Sequence, residues 1–125
     1  MKKIYSFLKL CVVLLGLVAG CFSINACQKK ETFKQNTVYL FWQDGCIHCH
    51  EALAHIQQKH PNMNIEMLNI AQAEARQKLI QAVKEFNLSN QIGTPLFVMD
   101  KEVLIGWSSA TRQKFDAKAP LFQKK

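Results

Sequence analysis

The residues with the greatest chemical capacity lie together, in Gly45-Cys46-Ile47-His48-Cys49-His50. The two cysteines stand at the junction of an apolar run, Val38-Tyr39-Leu40-Phe41-Trp42, and a pattern with apolar residues at Cys49, Ala52, Leu53 and Ile56. That spacing of i, i+3, i+4 and i+7 marks one face of an α-helix. Cys46 therefore falls at or just before a first helical turn, where unpaired backbone N–H groups and the positive end of the helix dipole favour an anion. A thiolate is such an anion, and Cys-x-x-Cys motifs at helix N-termini lower a cysteine pKa from about 8.5 to roughly 3.5–7.5. Cysteines this close enclose too small a loop to brace a fold, so the pair is read as reactive.

The same residues admit two other chemistries. Cys46-Ile47-His48-Cys49-His50 also satisfies Cys-x-x-Cys-His, a c-type haem attachment pattern. His50 would then be one axial ligand and Met63, Met67 or Met99 the other. The strand-rich remainder argues against it, and His50 is read as a solvent-facing helical residue. A copper or zinc carrier is the third possibility, with Cys46, Cys49, His48, His50 and His55 as soft ligands. A lone Cys-x-x-Cys without a second pair is a weak zinc signature, and His55 and His60, beside charged neighbours, are read as surface. The expectation is no metal and no cofactor beyond a redox-active disulfide.

The elements that must hold the pair follow from periodicity. The unbroken apolar run at 38–42 predicts a strand covered on both faces. A helix over 46 to about 60 follows, stopped by Pro61, and a second strand covers 64–69. Asn69 and Gln72 resemble a capping pair for a helix with Ala75, Leu79, Ala82, Val83 and Phe86 on one face. Thr94-Pro95 opens a third strand, Leu96-Phe97-Val98-Met99. Asp100-Lys101 turns it into a fourth, Glu102-Val103-Leu104-Ile105, and Ser108 or Ser109 caps a last helix to about Lys118. The order β-α-β-α-β-β-α requires a helical crossover between the first two strands, hence parallel pairing, and allows an antiparallel hairpin for the last two.

The N-terminus has a different character. Lys2, Lys3 and Lys9 precede an apolar run that ends Leu17-Val18-Ala19-Gly20-Cys21, the plan of a secretory signal. Cys21 after Val-Ala-Gly resembles the bacterial lipobox, which implies cleavage after residue 20, lipidation of Cys21 and export to a membrane facing the periplasm or extracytoplasmic space. The polar segment 21–36 is then a tether, able to reach roughly 50 Å if fully extended, and 37–125 is the folded domain. Cys11 leaves with the signal, and Cys27 in the tether is read as incidental. The 16 Lys and Arg less the three signal lysines leave 13 against 9 Asp and Glu, a net of +4. No basic stripe is interleaved with aromatics, so no nucleic-acid partner is expected.

This order, with Cys-x-x-Cys after the first strand and Thr94-Pro95 before the third, resembles the thioredoxin-like superfamily. Phe41-Trp42-x-x-x-Cys46-x-x-Cys49 is similar to the active-site segment of thioredoxins. Gly45-Cys46 and Ile105-Gly106 are similar to glutaredoxins, and His48 between the cysteines to exported oxidases of the DsbA type. The resemblance implies an α/β thioredoxin-like fold with a mixed four-stranded sheet flanked by helices, and thiol–disulfide oxidoreductase activity. Cys46 would be the attacking thiol, Cys49 the resolving thiol and disulfide partner, and His48 a group that favours the Cys46 thiolate. It further implies a cis-proline at Pro95 and a client site of Thr94, Pro95, Trp42 and Gly45, to which a cysteine-containing peptide adds as a strand. Implied partners are cysteine-containing proteins or small thiols, a redox protein that resets the pair, and the membrane through the N-terminal lipid. The chain departs from the resemblance at Leu40, where thioredoxins place a buried acid, and at Ile47-His48 in place of Gly-Pro.

Overall fold

The structure, a computed structural model, describes residues 32–125. The expected signal, the lipid site at Cys21, Cys27 and the first part of the tether lie outside the described residues. The described chain runs β1 (Val38–Trp42), α1 (Ile47–Lys59), β2 (Ile65–Asn69), α2 (Ala73–Glu85), β3 (Leu96–Met99), β4 (Glu102–Ile105) and α3 (Ser109–Lys118), followed by a 3-10 turn (Ala119–Phe122). The fold class is α/β.

One four-stranded mixed sheet has the order β2-β1-β3-β4. β1 pairs parallel with β2, Val38 opposite Ile65, and antiparallel with β3, Val38 opposite Met99. β3 and β4 form an antiparallel hairpin across Asp100, which takes a positive φ of 55°. The parallel pair needs the α1 crossover and the hairpin only a tight turn. β1 and β3 are thus central, and their residues from Val38 to Phe41 and from Leu96 to Met99 are buried on both faces. An unbroken apolar run has this origin, since alternate side chains enter opposite layers.

Those layers are distinct. Val38, Leu40, Phe97, Met99 and Leu104 pack against Ala52 and Ile56 of α1 and Phe115 of α3, with Ala119 and Phe122 of the 3-10 turn. Tyr39, Phe41, Leu96 and Val98 face the other way, against Ala82, Leu79 and Phe86 at α2. Phe33 belongs to this second layer, edge-on to Tyr39 at 5.1 Å between ring centroids and 5.9 Å from Phe86. Packing thus begins upstream of Thr37, within the segment read from its polarity as tether. The Lys34 N–H donates to the Tyr39 hydroxyl at 2.9 Å and fixes the approach.

Helix ends explain the local boundaries. Ser108 caps α3, its hydroxyl accepting from the Thr111 N–H at 3.1 Å. α2 differs from the expected capping pair: Asn69 closes a local turn by accepting from the Ala71 N–H, and Gln72 is the N-cap without a side-chain cap bond. Asn69 spends its side chain on that turn and on Asp44, so it has none left for the helix. Among the described residues no helix is long and apolar enough to cross a membrane.

Candidate functional site

Cys46 is the N-cap of α1, with extended backbone angles of φ −94° and ψ 104°. It is bonded to Cys49 as a disulfide, Cα to Cα 5.2 Å. The Cys49 N–H points at the Cys46 sulfur at 3.1 Å. The Cys46 carbonyl takes up the N–H groups of Cys49 and His50 at 3.1 and 3.2 Å and opens the helix. Cys49 is fully buried because it lies on the same helical face as Ala52 and Ile56. Cys46, one turn earlier and off that face, is partly exposed. The arrangement separates a reachable sulfur, aimed at by a helix N-terminus, from a covered one beneath it. When the disulfide opens, the amide at 3.1 Å and the dipole stabilise negative charge on the outer sulfur.

The connection before β3 lies against this sulfur. The Thr94–Pro95 peptide is cis, and the Thr94 carbonyl oxygen stands 3.5 Å from the Cys46 sulfur. Pro95 is fully buried and its carbonyl accepts the Gly106 N–H at 2.8 Å. Gly106 has a φ of 80°, a left-handed conformation that only glycine takes at no steric cost. Ile105-Gly106 therefore holds the proline loop in place beside the cysteines.

The loop between β1 and α1 is tied down from two sides. The His50 Nε2–H donates to the Asp44 carbonyl at 2.7 Å, and the Asp44 carboxylate accepts from the Asn69 amide at 3.2 Å. A carbonyl only accepts, so this bond places a proton on Nε2 of His50. The His50 ring meets Trp42 edge-on at 6.3 Å. Trp42 Nε1 is buried and has no hydrogen-bond partner among the described residues. A Cβ on Gly45 would meet nothing within 4 Å, so the space beside this residue is open. Ile47, next to Cys46, is 74% exposed, an apolar side chain left uncovered beside the disulfide.

Other expected residues fall differently. His48 is directed to Glu51 one turn on, 3.2 Å from Nδ1 to the carboxylate, with its side chain 68% exposed. It makes a solvated i,i+3 pair and not a contact with either sulfur. Leu40 is fully buried within the layer formed with α1, so no acid stands in its place. Of the methionines considered as axial ligands, Met63 and Met99 fill that same layer, and Met67 is exposed on the outer strand β2.

His55 and His60 are not surface residues. Their side chains are only 18% and 16% exposed, and both Nε2 atoms lie 2.7 Å from the same Asp116 oxygen, Oδ1. His60 is the C-cap of α1, with φ −134° and ψ 53°. In an unbroken helix a residue five positions on would point about 140° away. The helix ends at His60, and its ring comes round to 5.9 Å from that of His55. Burial raises the Asp116 pKa, but the hydrogen bonds from His60 and His55 and the attraction of their charge outweigh it and hold the carboxyl below its ordinary 3.8. Sequence reading had no means of finding this cluster. Asp116 is 61 residues from His55 and 56 from His60, and belongs to no local pattern.

No family model, curated protein or solved structure matches this chain.

Proposed function

We propose that this chain is a thiol–disulfide oxidoreductase of thioredoxin-like fold, exported and held at a membrane by a lipid on Cys21. The observation that carries the reading is the asymmetry of the pair: Cys46 partly exposed at the N-cap of α1, Cys49 fully buried beneath it, and the Thr94 carbonyl 3.5 Å from the outer sulfur. The element order, the mixed sheet and the cis peptide before β3 agree with the resemblance seen in the sequence.

Exchange then runs in two steps. In the reduced protein the Cys46 thiolate attacks one sulfur of a client disulfide. A Cys46–client S–S bond forms, the client's own S–S bond breaks, and its second sulfur leaves as a thiolate that takes a proton. Cys49, deprotonated as it reacts, attacks the Cys46 sulfur, which closes the protein disulfide and expels the first client thiol. Two electrons and two protons pass to the client. The reverse sequence oxidises a client dithiol, and a partner dithiol or disulfide resets the pair. An extended client segment lies along the Thr94-Pro95 loop, with backbone groups paired as an added strand and Ile47 offering apolar contact. Clients are cysteine-containing proteins or small thiols.

Oxidised glutathione tests this reading directly. With Cys49→Ser, peptide mass mapping should place a glutathione on Cys46. With Cys46→Ser none should be found on Cys49, because Cys49 is fully buried. Equal adduct formation at the two positions, or none at either, overturns the assignment.

A further inference from the structure

A second constellation lies away from the cysteines, toward the C-terminal end of α1. His55, His60 and Asp116 each offer one ligand atom, and these atoms all fall within 4.8 Å of one another. They come from three places in the chain: the last turns of α1, its C-cap, and α3. We propose that His55 Nε2, His60 Nε2 and an Asp116 carboxylate oxygen form a binding site for a divalent transition-metal ion of the zinc class, with a fourth position open to solvent. The proposal is independent of the redox reading.

The donor set is the first argument. Two imidazoles and one carboxylate with an open fourth position is a common ligand set for zinc. Imidazole also suits copper and nickel, whereas magnesium and calcium prefer oxygen ligands. Geometry is the second. Tetrahedral zinc with bonds of about 2.0–2.1 Å sets its ligand atoms about 3.3 Å apart, whereas each histidine nitrogen now stands 2.7 Å from Asp116 Oδ1. Asp116 must move outward from the two nitrogens, and the nitrogens, within 4.8 Å of each other, must settle at the same spacing. Asp116, with a side chain 40% exposed, is free to move.

The third argument is the support behind the ligands. His55 meets Trp107 edge-on at 5.4 Å and His60 lies 5.9 Å from Phe115. Trp107 and Phe115 are themselves 5.6 Å apart, and both touch Phe97 of β3. These walls fix both ring planes before any ion arrives, and an ordered ligand set loses less entropy on binding. In the metal-free state both Nε2 atoms donate hydrogens to one carboxylate oxygen. A bound ion takes the place of those hydrogens. Each ring binds through Nε2 as the neutral tautomer with its hydrogen on Nδ1, a protonated ring giving up its second proton to solvent, and the carboxylate is the third ligand. The ion would then link the end of α1 directly to α3.

The test uses the full chain with the Cys46–Cys49 disulfide closed and the remaining cysteines alkylated, so that no thiolate can ligate. Calorimetric titration with zinc chloride should show one ion per chain. His55→Ala, His60→Ala and Asp116→Asn should each weaken it by at least tenfold, since even loss of a ligand's outer partner costs about 10–100-fold. Circular dichroism checks that each variant is folded. Should a variant unfold, imidazole nitrogen resonances of the wild-type chain decide. Zinc must move the Nε2 signals of His55 and His60 and leave those of His48 and His50 in place. No zinc uptake by the oxidised wild type, undiminished uptake by the folded variants, or shifts confined to His48 and His50 would each show that the cluster is only a hydrogen-bonded clasp and overturn the proposal.

Discussion

Cys46 and Cys49 have the same chemistry and different surroundings, and the difference comes from where α1 starts. After reduction, iodoacetamide should label Cys46 and leave Cys49 unmodified in the folded protein, as peptide mass mapping will show. Comparable labelling of the two would contradict the burial of Cys49. The neighbouring histidines can be separated in the same way. A His48 ring beside the sulfur would stabilise the thiolate, so its removal would lower the reduction potential of the pair. The ring pairs instead with Glu51 in solvent, so His48→Ala should shift the exchange equilibrium with glutathione by less than threefold, about 15 mV. His50→Ala removes the bond that holds the Asp44 carbonyl, at 2.7 Å, and should produce the larger change of the two. A larger effect at His48 would support the role that its place between the cysteines suggests.

At the level of elements, local pattern accounts for much of the fold. A short apolar run rich in β-branched and aromatic residues fits a doubly covered strand, and β1 and β3 are such strands. The spacing from Cys49 to Ile56 could be read as one helical face because consecutive turns carry it. Thr94-Pro95 before β3 was likewise visible as residue type, and the structure places it against Cys46. What escaped the sequence depends on contacts between distant segments. Phe33 looks like an isolated aromatic in polar chain until Tyr39 and Phe86 are brought beside it. His55 and His60 look like surface until the end of α1 turns one ring back and α3 supplies Asp116. Two substitutions measure these contributions. Phe33→Ala should destabilise the fold by about 3 kcal/mol, the lower end for a buried phenylalanine, as judged by urea denaturation. A loss below 1 kcal/mol would return residue 33 to the tether. Ser108→Ala removes the cap of α3 and should cost about 1 kcal/mol.

Across the whole molecule, the two packed layers are not independent, because β1 and β3 present alternate residues to both. Phe97 tests that coupling. It is fully buried in β3, 5.0 Å from Phe115 and 5.6 Å from Trp107, so it supports the layer under α1 and α3 and the rings behind the histidines. Phe97→Ala should cost about 3–5 kcal/mol, a large share of a total that for such domains is about 5–15 kcal/mol. Hydrogen exchange shows how that loss is distributed. Backbone amides in β1 and β3 are held on both sides by neighbouring strands and should exchange only when the whole domain opens, so their protection must fall by the full loss of stability. The partly or wholly exposed connection at 87–93 opens locally and should exchange at an unchanged rate. If the amides of α2 kept their wild-type protection while those of α1 and α3 lost it, the layers would be unfolding separately. The strands at the centre of the sheet would then not be what joins them. Full and equal loss in both would show that the strand leading into Cys46 draws its rigidity from the entire domain, including aromatic residues that never touch a sulfur.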